Sequence, residues 1–363
     1  MILGGICHND QREKIVKSVM KSAVTVTFLI AASGASAQAG ESASAPVRTL
    51  ECLRHAHAVP PDFNSYWEGE IARQRKEVPL AAATVKRVKW PDRGQWEVWD
   101  ITVPALGARP VRGVLTIPKG TSAHSLPIAI RYGGAGTRDA PVLAYERAIA
   151  FSVNPCGCEN GRDKAYYDEY FSTVAKDYQL QGWDDRDRCF FHDQVLRVVR
   201  SLEWVKTLPE WNGKDLVVHG FSMGGAQTLQ AAALDPDVTV IAANDPALCD
   251  ITGPLATPKR LEGWPWILSD RKNAPKEERE AVCRNADYFD SCFFATRITC
   301  RAFLTSGYMD GCCPSEGVFI AYMNIRGQKQ LTVDPAANHC GTVNVPFDEF
   351  CTKLCGASKI LKK

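Results

Sequence analysis

The feature that most constrains this chain is the pentapeptide 220–224, Gly-Phe-Ser-Met-Gly, which follows the apolar run 216–218. A strand, a Gly-x-Ser-x-Gly turn and a helix together are typical of a nucleophile elbow, in which the serine hydroxyl stands clear of the sheet. We expect a β-carbon at Gly220 or Gly224 to strike a neighbouring strand or helix, so the turn needs both glycines. The bare pattern also arises by chance, so its meaning depends on its surroundings.

Those surroundings predict an α/β fold. Segments 97–104 and 111–118 alternate apolar and polar residues, which indicates an antiparallel start. Buried strands and amphipathic helices then alternate, which predicts one domain with a mostly parallel sheet and helices on both faces. Further strands are predicted at 126–130, 148–153, 216–218, 238–243, 302–306 and 330–333, and helices at 64–76, 193–208, 224–234, 286–294, 315–325 and 347–361.

Two stretches interrupt this rhythm. Residues 155–190 are polar and rich in tyrosine, and we interpret them as an irregular surface excursion near the site. Residues 247–284 follow the sixth predicted strand and contain tryptophan and proline turns and then a charged run, so they are predicted to form a small cap-like insertion.

The N-terminus has the pattern of a secretory signal peptide. Three lysines precede a short apolar segment, 23–32, and an Ala-x-Ala site ends at Ala37. An apolar segment of this length is too short to cross a bilayer, which needs about 20 residues. We therefore predict a signal peptide at 1–37, starting at Met1 or Met20, a flexible leader at 38–60 and a catalytic domain at 61–363. The mature protein is expected to be exported to the periplasm or the medium.

Charge and cysteine content narrow the class further. The net charge of +2 at pH 7 gives no general attraction to nucleic acid or to an anionic membrane. The chain has 14 cysteines, of which Cys7 leaves with the signal. Disulfides are the first expectation for an exported protein. The 13 cysteines that remain are an odd number, so at least one thiol is left unpaired. No Cys-x-x-Cys occurs, and His55 and His57 have no third ligand nearby in sequence, so no metal site is predicted.

Ser222 needs a base and an acid, which in this architecture follow it in the order acid, histidine. His339 is the only histidine after Ser222, and it lies in a turn-like loop beyond the strand 330–333. Asp310 follows the strand 302–306 and is the predicted acid, with the role of orienting the imidazole and stabilising the imidazolium. Asp245, at the end of the preceding strand, is the alternative.

An oxyanion hole requires two backbone N–H groups. One belongs to the residue after the nucleophile, Met223, and the other to the glycine-rich loop 133–136 after the third predicted strand. Within that loop Ala135 is the predicted donor and Gly134 the alternative. This chemistry needs no metal and no organic cofactor.

From about Pro61 onward the sequence resembles the acetyl xylan esterase/cephalosporin-C deacetylase family of α/β hydrolases. The resemblance implies the α/β-hydrolase fold and a Ser222, Asp310, His339 triad. It rests on the segments 60–67, 98–119, 193–204, 220–233, 245–250 and 307–315 and on the loop around His339.

The sequence departs from the family pattern near the predicted site. Phe221 and Met223 stand where the family usually has Gly and Gln, Ala135 where it has Tyr, and Cys340 where it has Glu. The family's Arg-Gly-Gln motif is replaced at 154–156. These departures keep the triad and leave the substrate and the hexameric assembly typical of the family open.

The resulting prediction is a serine carboxylesterase that removes acetyl or other short acyl groups from carbohydrate esters through an acyl-enzyme. Trp264 and Trp266 are expected to stack on sugar faces if the insertion lies over the site. A homo-oligomer is implied only by the resemblance. The alternatives are a serine peptidase of the prolyl-oligopeptidase type, a non-catalytic binding protein with the same fold, and a thiol-based function of the many cysteines.

Overall fold

The computed structural model of the protein describes residues 54–55, 57–87, 94–256 and 260–361. The predicted signal peptide and the leader up to residue 53 lie outside the described residues. Within the described ranges, no helix combines the length and the apolar character needed to cross a membrane.

A nine-stranded sheet forms the centre of the molecule, with strand order β1-β2-β3-β6-β4-β7-β8-β9-β10. The first pairings, from β1 to β6, are antiparallel, and those from β6 to β10 are parallel. The strands of this sheet are β1 Thr84–Arg87, β2 Trp96–Val103, β3 Val111–Pro118, β4 Leu126–Tyr132, β6 Ile149–Asn154, β7 Trp211–Phe221, β8 Val240–Asn244, β9 Arg301–Gly307 and β10 Lys329–Asp334. Two further strands, β5 Leu143–Tyr145 and β11 Ser358–Ile360, form a separate small sheet. The predicted fold class, with its antiparallel start, is confirmed.

The helices lie on both faces of this sheet. They are α1 Phe63–Glu77, α2 Lys164–Ser172, α3 Phe190–Val205, α4 Met223–Leu234, α5 Gly253–Ala256, α6 Ile267–Asp270, α7 Lys276–Ala286, α8 Ser291–Ala295, α9 Ser315–Asn324 and α10 Val345–Cys355. Residues 80–82 and 178–180 form single 3₁₀ turns.

Alternation along the strands builds two cores, because successive side chains point to opposite faces. Ile128 and Ile130 join the larger core, which packs against α1, α3, α4, α8 and α9, whereas Ala129 between them joins a smaller core. Helix α10 covers that smaller core with Phe347 and Cys351. Both faces of the central strands are therefore buried, which explains their continuous apolar sequences.

Several predicted boundaries are wrong. The excursion 155–190 contains helix α2, whose N-cap Asp163 accepts a hydrogen bond from the Tyr166 N–H. Helix α10 ends at Cys355 rather than at 361, because Gly356 adopts a φ of 80° that stops the helix. The chain then forms β11, which pairs with β5.

The segment predicted as one helix over 286–294 contains only the last residue of α7 and the start of α8. Residues 287–290 are not helical, and Asp290 caps α8 because its carboxylate accepts the Cys292 N–H. The insertion 247–284 follows the eighth strand of the chain rather than the sixth, since β1 and β5 were not predicted. It contains α5, α6 and most of α7.

The expected disulfides are absent from the described part of the chain, where no two cysteines are joined. Many of these thiols lie in the core and act there as small apolar side chains. Cys156 is fully buried, and burial raises its thiol pKa to about 12. Cys351 and Cys355 lie one turn apart on α10 and both face the smaller core.

Candidate active site

Three side chains meet at the carboxyl edge of the parallel strands. Ser222 follows β7, Asp310 follows β9 and His339 follows β10. Since β7, β8, β9 and β10 are parallel neighbours, their carboxyl ends lie at the same edge of the sheet. The topology therefore brings together residues that lie up to 117 positions apart.

Ser222 occupies a strained turn. Its backbone has a φ of 58° and a ψ of −122°, a conformation that non-glycine residues rarely adopt. The predicted role of the flanking glycines is confirmed: a β-carbon at Gly220 would lie 2.3 Å from the Gly224 carbonyl oxygen, and one at Gly224 would lie 2.3 Å from that of Tyr132. The Ser222 N–H donates to the Asn244 carbonyl at 2.9 Å, which holds the turn against β8.

The three side chains form a continuous hydrogen-bonded chain. Ser222 Oγ lies 3.1 Å from His339 Nε2, and His339 Nδ1 lies 2.7 Å from Asp310 Oδ2. The second oxygen of Asp310 accepts the backbone N–H groups of Cys312 and Cys313 at 2.8 and 2.9 Å. The Asp310 side chain is fully buried, whereas that of His339 is 23% exposed. The carboxylate is therefore held inside the protein, and the imidazole is partly accessible to solvent.

Asp245, the alternative acid, is placed differently. Its Oδ1 accepts hydrogen bonds from the Gly307 N–H at 3.1 Å and the Thr305 hydroxyl at 3.2 Å. Its Oδ2 has no hydrogen-bond partner among the described residues. Burial, and then the nearby Asp310 charge, raise the pKa of Asp245 to about 6. Asp310 therefore contacts His339 through a hydrogen bond, whereas Asp245 braces the end of β9.

The protonation of His339 is coupled to Cys312. Burial lowers the pKa of His339, but hydrogen bonds with Asp310 and with the Cys312 sulfur outweigh burial and raise it to about 10. A hydrogen bond from Cys313, with a smaller contribution from His339, outweighs burial and lowers the pKa of Cys312 to about 5. A thiolate at Cys312 therefore stabilises the imidazolium, which must lose its proton before His339 can act as a base.

The predicted oxyanion loop contacts the elbow. A β-carbon at Gly134 would lie 3.1 Å from the Phe221 carbonyl oxygen and 3.8 Å from Ser222 Cβ, so only glycine permits this approach. Gln227 Nε2 donates to the Gly133 carbonyl at 3.1 Å, and this bond ties the loop to α4. Met223 is the first residue of that helix, where backbone N–H groups have no partner within the helix.

Two backbone N–H groups of the loop 133–136 are already used in hydrogen bonds within the protein. The Gly133 N–H donates to Val153 and the Gly136 N–H to the Tyr178 hydroxyl, both at 3.2 Å. Ala135 lies between them on the exposed side of the loop. The Ala135 N–H and Met223 N–H assignments stay predictions.

The two tryptophans of the insertion differ in exposure. Trp264 is 8% exposed and packs edge-on against Phe191, so its indole faces are covered by protein. Its predicted stacking on a sugar is inconsistent with this burial. Trp266 is 43% exposed, in a turn where the Trp264 N–H donates to the Cys312 carbonyl at 2.7 Å. The insertion therefore packs on the loop that carries Asp310.

Sequence reasoning did not identify the supporting residues. The amides of Cys312 and Cys313, the Gln227 side chain and the Phe221 ring, whose centroid lies 4.7 Å from that of His339, all contact the site. Only the Cys312-Cys313 pair, adjacent to the predicted acid, offered a sequence signal for any of them. His219, on β7 beside the elbow, is a core histidine: burial and then Arg131 lower its pKa to about 3.

One group of side chains at the site has the composition of a metal site. Within the described ranges, ligand atoms of Cys312, Cys313 and His339 all lie within 4.8 Å of one another. The triad itself requires no cofactor for acyl transfer, since nucleophile, base and acid are supplied by side chains.

Comparisons with known proteins identify a family and relatives to which this chain is similar. Residues 42–354 match the model of the acetyl xylan esterase family. An acetyl esterase of Xylanibacter ruminicola is 31% identical over 309 residues, which cover 82% of this chain and 68% of that protein.

Two solved structures share the fold. An acetyl xylan esterase from Paenibacillus sp. R4 superimposes with a TM-score of 0.69 at 24% identity, over 85% of this chain and 98% of that one. Acetyl xylan esterase 1 from Thermoanaerobacterium sp. JW/SL YS485 gives a TM-score of 0.68 at 22% identity, with the same two coverages.

Proposed function

The chain belongs to the acetyl xylan esterase family and is a carboxylic ester hydrolase with the α/β-hydrolase fold, and from this premise we propose that it removes acetyl groups from carbohydrate esters by a serine mechanism. The observation that carries the proposal is the hydrogen-bonded chain from Ser222 through His339 to Asp310, at 3.1 and 2.7 Å. This hydrogen-bonded chain lies at the carboxyl edge of the sheet, where Ser222 occupies the strained turn after β7.

In the first half-reaction Ser222 Oγ attacks the ester carbonyl carbon as its proton passes to His339 Nε2. Asp310 holds the imidazole by Nδ1 and stabilises the imidazolium. The tetrahedral intermediate collapses when His339 returns the proton to the leaving sugar oxygen, which leaves the acetyl group on Ser222. In the second half-reaction His339 deprotonates a water molecule, which attacks the acetyl carbonyl and releases acetate.

The oxyanion formed in both steps needs donors that are in place before the reaction. We assign this role to the N–H groups of Met223 and Ala135, with Gly134 as the alternative to Ala135. The Gln227 bond to Gly133 supports this assignment, because it fixes the loop relative to α4. Removing one such donor typically costs about 3 kcal/mol of transition-state stabilisation.

The test compares Ser222→Ala with wild type on p-nitrophenyl acetate and on acetylated xylo-oligosaccharides. Wild type should release acetate from both, and the variant should lose at least about 10⁴-fold in kcat. Ser125→Ala is the matched control, since the hydroxyl of this exposed serine donates to the Ser122 carbonyl in a surface turn far along the chain from the triad. Unchanged acetate release by Ser222→Ala would exclude the serine mechanism and leave the alternative of a binding protein with contaminating activity.

The alternative of a serine peptidase is tested with the same enzyme. A dipeptide anilide should be hydrolysed far more slowly than p-nitrophenyl acetate. A reversed preference would replace the esterase proposal with the peptidase. A screen of acetylated xylan, acetylated oligosaccharides and cephalosporin C then identifies the preferred ester.

We also infer export from the N-terminal pattern, with cleavage after Ala37. N-terminal sequencing of protein recovered outside the cytoplasm should begin at Gln38. Cytoplasmic protein that keeps residues 20–37 would contradict export. The homo-oligomer implied by the resemblance is tested separately by light scattering.

A further inference from the structure

Two adjacent thiols face the candidate base. Cys312 and Cys313 donate their backbone N–H groups to the same oxygen of Asp310, so their positions are fixed by the acid of the triad. Their sulfur atoms and a ring nitrogen of His339 lie within 4.8 Å of one another. The serine mechanism uses neither thiol.

We propose that Cys312, Cys313 and His339 form a binding site for a thiophilic divalent cation such as Zn²⁺, and that the bound cation inhibits the esterase. Two thiolates and one imidazole are a ligand set that zinc prefers and that hard cations such as Mg²⁺ do not. In a tetrahedral site with Zn–S distances of about 2.3 Å and Zn–N distances of about 2.0 Å, the ligand atoms lie roughly 3.5 to 4 Å apart. The observed group needs only a small contraction to reach this geometry.

Both thiols must lose their protons to act as metal ligands. The cation thus replaces the thiol protons, which pass to solvent, and no oxidant or reductant is needed.

Inhibition follows from the way the imidazole is used. Both ring nitrogens of His339 are engaged, one with Asp310 and one with Ser222. A cation on either nitrogen excludes one of these contacts: on Nε2 it removes the base from the serine, and on Nδ1 it removes the acid from the base. The imidazole is 23% exposed, so a cation bound to it is accessible to solvent and can exchange.

Binding is measured first, independently of catalysis. The full-length Ser222→Ala variant, stripped with EDTA, should take up one Zn²⁺ per chain in competition with a chromogenic chelator. A Cys312→Ser/Cys313→Ser double variant in the same background should bind at least tenfold more weakly, since serine is a poor zinc ligand of nearly the same size. Cys283→Ala, a half-buried cysteine of α7, is the matched control and should bind like the parent.

Inhibition is then measured with the active enzyme, and this arm rests on the proposed function. Added ZnCl₂ should abolish p-nitrophenyl acetate hydrolysis, EDTA should restore it, and MgCl₂ should have no effect. The double variant, checked for folding by its circular dichroism melt, should need at least tenfold more zinc for half-inhibition.

The results separate the two proposals. Equal zinc uptake by the Ser222→Ala parent and the double variant, or no uptake by either, would overturn the metal site whatever the enzyme hydrolyses. Stoichiometric binding that leaves hydrolysis unchanged would overturn the inhibitory role.

Discussion

Two of the histidine–aspartate pairs in the described part of the chain, His339–Asp310 and His55–Asp290, differ in a way that separates catalysis from structure. His339 Nδ1 lies 2.7 Å from Asp310 and its other nitrogen faces Ser222 Oγ. His55 Nε2 lies 3.1 Å from Asp290 and its other nitrogen lies 3.0 Å from the carbonyl oxygen of His57. The His55 side chain is 6% exposed, against 23% for His339.

The partners of each pair explain the difference. Asp290 also accepts the N–H groups of Asp250 at 3.1 Å and Ile251 at 2.7 Å, so it joins the residues before the first helix to the segment after β8. Asp250 is paired in turn with Arg260 at 2.6 Å. Both ring nitrogens of His55 are therefore hydrogen-bonded to protein groups that are not nucleophiles for an ester. A histidine–aspartate pair becomes a base only where the second nitrogen meets a nucleophile and an opening.

The largest expected effect is on activity. His339→Ala should lower kcat by about 10⁴- to 10⁶-fold, because the triad acts as a unit. Its free energy of unfolding should fall as well, because the substitution leaves the fully buried Asp310 carboxylate without its imidazole partner. Initial rates and urea unfolding measure both. A variant that kept activity would remove His339 from the mechanism.

The matching substitution in the other pair should act on stability. Asp290→Asn removes the carboxylate 3.1 Å from the buried His55 ring and leaves only Asp250, at 3.6 Å, so the cost should approach the about 3 to 5 kcal/mol that is typical of breaking a buried pair. The kcat of the folded variant should equal that of wild type. Asp287→Asn is the control, because its partner His57 is 37% exposed and such pairs contribute about 1 kcal/mol or less. A urea midpoint for Asp290→Asn equal to that of Asp287→Asn would contradict the structural role.

A pH series sharpens the role of His55. Burial lowers its pKa, but Asp290 outweighs burial and raises it from 6.5 to about 9. A folded-state pKa above the unfolded value means that the stabilisation is complete below pH 6.5 and is lost as pH rises through 9. The loss amounts to about 3 kcal/mol at most. The difference in unfolding free energy between wild type and His55→Asn should therefore shrink across this window, and a constant difference would show that His55 does not titrate there.

The same increase in pH should have the opposite effect at the active site. Only neutral His339 accepts the Ser222 proton, and its pKa is raised to about 10. In the presence of EDTA, kcat/KM should rise by about tenfold per pH unit below that pKa. A plateau already at pH 7 would mean that His339 is neutral in the resting enzyme. Stability and activity should thus diverge as pH increases.

These two pairs also show how far the sequence alone can predict. Ser222, Asp310 and His339 are predictable because each follows a buried strand, and parallel strands bring their carboxyl ends to one edge. The His55–Asp290 pair was not predictable, since 235 residues separate its members and no strand pattern precedes His55. The carboxylates that pair with His55 and His57, Asp290 and Asp287, are distant in sequence, and only the folded chain brings them together.

Local breaks in pattern explain the other errors. Helix α7 ends at Ala286, and Asp290 caps the start of α8, within the segment predicted as one helix. The length of β5, three residues, is too short for an alternating pattern to be detected. Trp264 lies in an insertion with the composition of a surface loop, yet its ring packs against Phe191 in the core. Composition predicts an exposed segment but not which of its aromatic side chains turns inward.

The smallest predicted effect concerns the orientation of His339. The Phe221 ring lies 4.7 Å from the imidazole at an interplanar angle of 41°. An aromatic contact of this kind contributes about 1 kcal/mol, so Phe221→Leu should lower kcat by roughly fivefold with little change in KM, because the imidazole gains freedom to turn away from Ser222. Phe221→Tyr should restore kcat. Phe350→Leu, which removes an aromatic contact with Phe303 in the smaller core, should lower stability and leave kcat unchanged. Equal kcat values for Phe221→Leu and Phe350→Leu would mean that Asp310 alone orients the base.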